Sequence, residues 1–256
     1  LQKQLQQQQK FLFAKVLDAA QSSALHHKKT TTDFMDRYKS EIFFEKVKSI
    51  QNVRAMVFGG HEQSERRMIA FAPDYMELTE QDFPIQALHI TKNKKFGQAD
   101  LNHRDYLGSI LALGIDRAKL GDIIVLEQKT ICYVHKDLAE YVKSTLEYVS
   151  RTKVDVSVSD ISTVTLPEKE WKYQTITVAS LRLDAVAGGA FHMARGKVQQ
   201  YIKKELVQLN WNTTTNISCL LKQGDMISIR GFGRIKIFEI GNITKKDRIC
   251  VTIGRE

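Results

Sequence analysis

Cysteine and proline are scarce in this chain of 256 residues, at three each. Cys132, Cys219 and Cys250 are odd in number and nowhere form a C-x-x-C pair. That argues against a disulfide framework or a cysteine-based zinc site and points to a reducing cytoplasm. With so few prolines and only fourteen glycines, no long flexible linker is expected. No apolar run approaches the ~20 residues of a membrane helix, and the N-terminus has no apolar signal core, so no membrane span is expected. A glycine-rich phosphate loop and an Asp-Phe-Gly are also missing, which leaves His103-Arg104-Asp105 without the companions of a kinase catalytic loop. It reads instead as a helix start, where Asp105 favours the dipole. His26-His27 and His61-Glu62 lack further ligands at metal spacing and read as surface residues, so no metal and no cofactor is expected.

What the chain does have is positive charge, unevenly placed. There are 38 Lys and Arg against 29 Asp and Glu, a formal charge of +9. Residues 178–256 hold 13 basic and 6 acidic side chains, whereas residues 1–177 hold 25 and 23. A field concentrated at one end suits a polyanion, most commonly a nucleic acid. Apolar and charged contents of 43% and 26% are ordinary for a globular protein, and the length allows two or three small domains.

The pattern predicts an α+β chain. Residues 1–75 read as a helical and mixed N-terminal domain. Leu5, Leu12, Phe13, Val16, Leu17 and Ala20 recur at helical spacing behind a glutamine-rich, frayed first turn. A second helix is expected after Asp33, with Phe34, Tyr38 and Ile42 on one face. Val53 to Phe58 and Arg67 to Ala72 read as strands separated by Gly59-Gly60.

Residues 76–160 read as a ferredoxin-like, RNA-recognition-like domain. Ile85 to Thr91 is a strand. Asn102 is placed to cap a helix carrying Leu107, Ile110 and Leu111, which ends near Gly114. Ile123 to Leu126 and Ile131 to Val134 form a hairpin. Asp137 and Glu140 have capping-box spacing ahead of Leu138, Val142, Leu146 and Val149. Lys153 to Ser159 closes the order strand, helix, strand, strand, helix, strand, the split βαβ pattern. The aromatic stacking signature of RNA-recognition motifs is absent; Tyr133 alone lies on the hairpin and reads as packing. Residues 161–177 read as a connection, ending in a short strand at Tyr173 to Val178.

Residues 178–256 carry the functional signal. Ser180 is placed to cap a helix that buries Leu183, Val186, Ala187 and Ala190, with Arg182 and Asp184 directed elsewhere. A second helix, Arg195 to Lys204, keeps Val198, Tyr201 and Ile202 in one arc of about 100°. Arg195, Lys197, Gln199, Gln200, Lys203 and Lys204 occupy the remainder. Val207 to Asn210 alternates, and a hairpin is expected around Gly231-Phe232-Gly233, with Arg230 beside it. Cations and amides in that arrangement suit phosphates, sugars and exposed base edges.

Ser180-Leu181-Arg182-Leu183-Asp184, Arg195 through Ile202, Val207 through Asn210 and Gly224 through Ile227 resemble, in order, the RNA-binding domain first known from small-subunit ribosomal protein S-four, with its alpha-L motif. His103 through Gly108, Leu113 through Arg117, Leu120 through Ile123 and Gly231 through Arg234 resemble the bacterial YlmH family. The resemblance covers most of residues 75–240. It implies a cytoplasmic RNA-binding protein of the large ribosomal subunit, contacting rRNA or tRNA during rescue of obstructed translation. It also implies a link to cell division. Three positions depart from the usual pattern. Ala194 and Gly196 stand where hydroxyl residues commonly begin the second helix, and Glu205 stands where glycine commonly ends it. The missing cap costs ~1 kcal/mol, and Glu205 must take a left-handed conformation or alter the turn.

The reading is therefore a non-enzymatic RNA-binding protein. The expected contacts are Ser180, Arg182, Arg195, Lys197, Gln200, Lys203, Lys204, Asn210 and Arg230, with His103, Arg104 and Arg117 as secondary ones. Two other classes remain. A pseudouridine synthase would use an Arg-Leu-Asp like Arg182-Leu183-Asp184, but here that triplet lies inside the RNA-binding domain and the remaining chain is too short for the catalytic fold. An adaptor for a cell-division protein would dock its partner on the N-terminal helices.

Overall fold

The periodicities translate, among the described residues, into six helices and three antiparallel sheets in a computed structural model. It describes all residues except 1, 94–99, 168, 169, 245 and 256. The side chains of 2–6, 8 and 9 also lie outside the described residues, and with them Leu5 of the first helix. The chain divides into two compact units, Leu1–Thr165 and Leu166–Glu256. Among the described residues no helix is long and apolar enough to cross a membrane.

In the first unit, helix α1 (Gln2–His26) stops where His27 turns to φ 50°, the left-handed conformation that ends many helices. Short strands β1 (Thr30–Thr31) and β2 (Met35–Asp36) follow, then α2 (Arg37–Val47), β3 (Val53–Phe58) and β4 (Arg66–Pro73). β4 pairs with β1, β2 and β3. Val16 and Ala20 of α1 and Phe43 and Val47 of α2 bury against Val53, Ile69 and Phe71 of this sheet. The second helix starts later than its apolar spacing predicts. Asp36 is its cap, accepting from the Lys39 amide at 2.9 Å. Phe34 is not on that helix: its ring is buried, and a Cβ added at Gly121 would come within 2.8 Å of it.

The split βαβ order is realised by β5 (Ile85–Lys92), α3 (His103–Leu111), β6 (Leu120–Val125), β7 (Thr130–His135), α4 (Lys136–Thr145), β8 (Tyr148–Val149) and β9 (Thr152–Ser159). The sheet order is β6-β7-β5-β9-β8, all antiparallel. Leu88, Ile90, Cys132 and Val134 face Tyr106, Ile110, Ala139 and Val142 of the helices. Asn102 caps α3, accepting from the Arg104 amide at 2.9 Å, while the Asp105 carboxylate accepts from the Asn102 amide. The expected box at Asp137 and Glu140 does not form. His135 is the cap of α4, its Nδ1 accepting from the Asp137 amide, and Asp137 lies inside the first turn. Val149 belongs to β8, since α4 ends at Thr145.

Polar clamps tie the two sheets of this unit together. Asp122 on β6 accepts from the amides of Glu65 and Arg66 at 2.7 and 3.0 Å and pairs with His61 Nε2 at 3.0 Å. Arg66 donates to the carbonyls of Leu120, Phe34 and Arg117 at 2.7, 3.1 and 3.0 Å. His61 is therefore a structural, half-buried residue and not the surface histidine its spacing implied. Tyr133 is buried and packs at 5.2 Å from the His61 ring. Gly60, at φ +99°, leaves room for it, because a Cβ there would lie 2.4 Å from the Tyr133 ring.

The second unit opens with β10 (Lys172–Val178), so the last part of the expected connection is a full sheet strand. Helices α5 (Leu183–Ala190) and α6 (Arg195–Lys203) follow, then β11 (Val207–Leu209), β12 (Asn212–Thr213), β13 (Met226–Ile229), β14 (Gly233–Ile243) and β15 (Ile249–Arg255). Strand order is β10-β15-β14-β13-β11-β12. Leu183, Val186, Ala187 and Ala190 of α5 and Val198 and Ile202 of α6 share a core with Ile176, Ile227, Ile229, Ile235, Ile237, Val251 and Ile253. Each large apolar side chain so enclosed contributes about 1.5–3 kcal/mol. The end of α6 takes the left-handed route: Glu205 sits at φ 57° without a glycine.

Candidate nucleic-acid interface

The site is built around one buried carboxylate. Asp184, in the first turn of α5, has no exposed side-chain surface, against the expectation that it faces outward with Arg182. It accepts from Arg182 Nε at 3.1 Å, from Gln199 Nε2 at 2.8 Å, and from Arg195 through Nε at 3.2 Å and the terminal nitrogen at 2.9 Å. Burial alone would raise this carboxyl. The hydrogen bonds from Arg182, Gln199 and Arg195 outweigh it and hold the group below the usual carboxylate range. The two guanidinium side chains remain 38% and 50% exposed. One hidden anion thus holds the inner edges of two cations whose remaining surface meets solvent, a pre-aligned pair suited to phosphate oxygens.

Local backbone explains the placement. Leu183 N donates to Cys219 O and Leu221 N to Leu181 O, so the 217–221 segment brackets the start of α5. The helix cap is Arg182, without a side-chain cap bond, and Ser180, half-buried two residues earlier, does not fill that role. Ala194 likewise begins α6 with no side-chain cap.

Around α6 the expected contacts spread over an arc. Val198 and Ile202 face the core. Arg195 and Gln199 flank them on the α5 side, as their bonds to Asp184 require. Lys197, ~200° from Arg195 at 100° per residue, lies on the other flank, its Nζ 6.0 Å from the Phe232 ring. Phe232 meets Tyr201 edge to face at 5.5 Å, which docks the β13–β14 turn on α6. Arg230 is brought in by the same turn, its amide donating to Leu206 O at 3.0 Å. Gln200, Lys203 and Lys204 are exposed between the flanks. The two lysines end the helix, where its dipole favours cations.

Asn210 is differently employed. Its amide nitrogen donates to Asp225 and its oxygen accepts from the Met226 amide, both at 2.8 Å, in a left-handed turn at φ 49°. It closes a loop and is not grouped with the α5–α6 cations. His103, Arg104 and Arg117 belong to the first unit. Arg104 is exposed. Arg117 donates to the carbonyls of Leu120 and Gly121, and desolvation holds its pKa below the ordinary value against the opposing effect of Cys132 and Asp122. His103 is held low by desolvation and then by Arg117. Sequence reading missed the anchoring by Asp184 and Gln199 and the docking ring of Phe232. The available signal was an aspartate inside the apolar run Leu183 to Ala187, two residues after an arginine.

Fold and site together define an α+β protein with a split βαβ sheet in one unit and a cationic two-helix surface in the other. Residues 79–163 match the family model described as "Putative RNA-binding domain in YlmH". The chain is 34% identical over 225 residues to the "Ribosome-associated protein quality control protein P2" of Bacillus subtilis (strain 168), covering 88% of this chain and 86% of that protein. It therefore belongs to the YlmH family. A solved structure, the cell division protein ylmH from Streptococcus pneumoniae, shares the fold at a TM-score of 0.50 and 18% identity, over 60% of this chain and 93% of that one.

Proposed function

We propose that this chain is a non-enzymatic RNA-binding factor of the bacterial cytoplasm that holds rRNA or tRNA on the large ribosomal subunit during ribosome-associated quality control. The observation that carries this reading is the α5–α6 surface, where Arg182 and Arg195 are aligned by buried Asp184 and followed by Lys197, Lys203 and Lys204. The name of the Bacillus subtilis relative supports the ribosomal setting, and the family match over 79–163 supports RNA as the ligand. Residues 178–256, extended back by the β10 strand, would then act as a unit of the S-four type. Side chains touch phosphates there, and the cost of ordering them is reduced because Arg182 and Arg195 are already held.

Cosedimentation of the full chain with purified large subunits tests the proposal. Arg195→Ala and Lys197→Ala together should lower affinity about tenfold or more, since a hydrogen bond to a charged group is worth about 1.5–3 kcal/mol. Lys203→Ala with Lys204→Ala leaves Asp184 untouched and should lower the salt slope by about one for each phosphate no longer neutralised. Salt-insensitive binding, or unchanged cosedimentation of both double variants, would refute it.

A further inference from the structure

The six-stranded sheet of the second unit carries α5 and α6 on one face. Residues standing opposite each other in an antiparallel pair share a face, so the registers define the other side. Tyr173, Gly254, Lys236 and Met226 make one row there, and Arg234, Ser228 and Gln208 the next. Among the described residues no helix of this unit covers that face. Phe238 lies over it instead, meeting Trp171 at 5.4 Å and Tyr173 at 4.9 Å, both edge to face. Gly254 makes the arrangement possible: a Cβ there would come 2.5 Å from Phe238 and 3.0 Å from Trp171. The rings therefore rest directly on β15.

A sealed small core would bury its outer ring, yet Tyr173 remains 63% exposed. Cations accompany the rings. Lys236 Nζ lies 5.1 Å from the Phe238 centroid, and Arg234 lies in the next row of the same face. Among the described residues the carboxylate that enters this face is Glu239, which stands opposite Thr252 beyond the bulge that carries Phe238. An exposed ring beside two half-buried ones, on a sheet bordered by basic side chains, fits the stacked bases and flanking phosphates of an unpaired strand, and stacking is indifferent to which base is offered. Base-paired RNA hides those faces in its own stack.

We propose that this sheet face is a second nucleic-acid site, separate from the α5–α6 surface, which takes single-stranded RNA by stacking bases on Tyr173 and the Phe238–Trp171 pair and holding phosphates with Lys236 and Arg234. It stands whether or not the α6 reading holds, because it uses none of the same side chains.

The test is binding of the full chain to a labelled oligouridylate of about twelve nucleotides and, in parallel, to a stable RNA hairpin. Tyr173→Ala should weaken the oligouridylate roughly five- to a hundredfold, the range of one lost base stack. Tyr173→Leu keeps apolar volume without the ring and should behave the same, which guards against a folding defect in the alanine variant. Tyr173→Phe should bind as the parent does, and Lys236→Gln should bind more weakly with a shallower salt dependence. Hairpin affinity should not change in any of these. Thiouridine crosslinks should map to Trp171, Tyr173 or Phe238. An unmodified chain that ignores oligouridylate, a Tyr173→Leu variant that binds it fully, or a loss confined to Lys203→Ala with Lys204→Ala would each overturn the assignment. So would crosslinks restricted to α6.

Discussion

The two units handle buried charge in opposite ways. In the first, a cation is enclosed, beside the carboxylate of Asp122. Arg66 threads between the sheets, donates to three carbonyls, and is pushed by desolvation, then by Arg117, down to about 10. In the second, the enclosed ion is the anion Asp184, and its arginine partners stay half in solvent. Burying the cation uses it up as a structural clamp. Burying the anion leaves positive charge at the surface, so the same residue types are mortar in one place and an exposed cationic surface in the other. The formal charges of +2 and +7 that separate residues 1–177 from 178–256 understate this difference, because Arg66 and Arg117 are engaged by internal carbonyls.

Removing each buried ion is the strongest way to break the comparison. Arg66→Ala should cost about 2–4 kcal/mol, since it strands the carbonyls of Phe34, Leu120 and Arg117 and leaves Asp122 less compensated. Asp184→Asn should cost about 1–2 kcal/mol, because the volume is kept and both arginines can turn to water. Chemical denaturation checks both. Both tryptophans, Trp171 and Trp211, lie in the second unit, so their emission should respond to Asp184→Asn, while amide exchange in β4 and β6 should respond to Arg66→Ala. A larger loss for Asp184→Asn would invert the argument.

Smaller gains should come from the imperfect start of α6. Ala194→Ser supplies the missing cap and Gly196→Ala removes a flexible residue at a site with open space around its Cβ. Each should stabilise the second unit by about 0.5–1 kcal/mol, read as a rise in its melting temperature. No gain from either would mean that the first turn is held by something other than local propensity.

The smallest effect sharpens the contrast through pH. His89, His103 and His135 in the first unit are all held below their ordinary values, desolvation being the leading cause in each. The unfolded chain then binds protons first on acidification, so the stability these histidines contribute is whole above about pH 6.5 and declines as pH falls toward their folded values. Asp184 is depressed from a carboxylate value, so its contribution in the second unit is whole above about pH 4 and is lost only below it. Acid titration followed by hydrogen exchange should show the first unit loosening before tryptophan emission changes. The reverse order would count against these assignments.

Much of this was legible along the chain. Strand and helix order in 76–160, the Asn102 cap, the turn around Gly231 and the basic character of α6 all follow from local period and residue type, because neighbours in sequence are neighbours on an element. Two of the misplacements, those of Phe34 and Asn210, are non-local, whereas the cap of α4 moved by only two residues. Phe34 left its expected helix because a pocket beside Gly121 took it. His135 displaced Asp137 as a cap. Asn210 turned inward to Asp225, 15 residues away.

By itself the sequence determined the α+β class, the split βαβ order, the positive C-terminal end and the missing cap at Ala194, all properties of composition or of periods a few residues long. Tertiary structure alone decided that Asp184 is buried, that Arg66 is a clamp while Arg195 is a surface, and that Trp171, Tyr173 and Phe238 gather on one sheet face. Those outcomes depend on which distant backbone groups and side chains fill the surrounding space, and desolvation then sets whether a charge serves the fold or remains available to a partner.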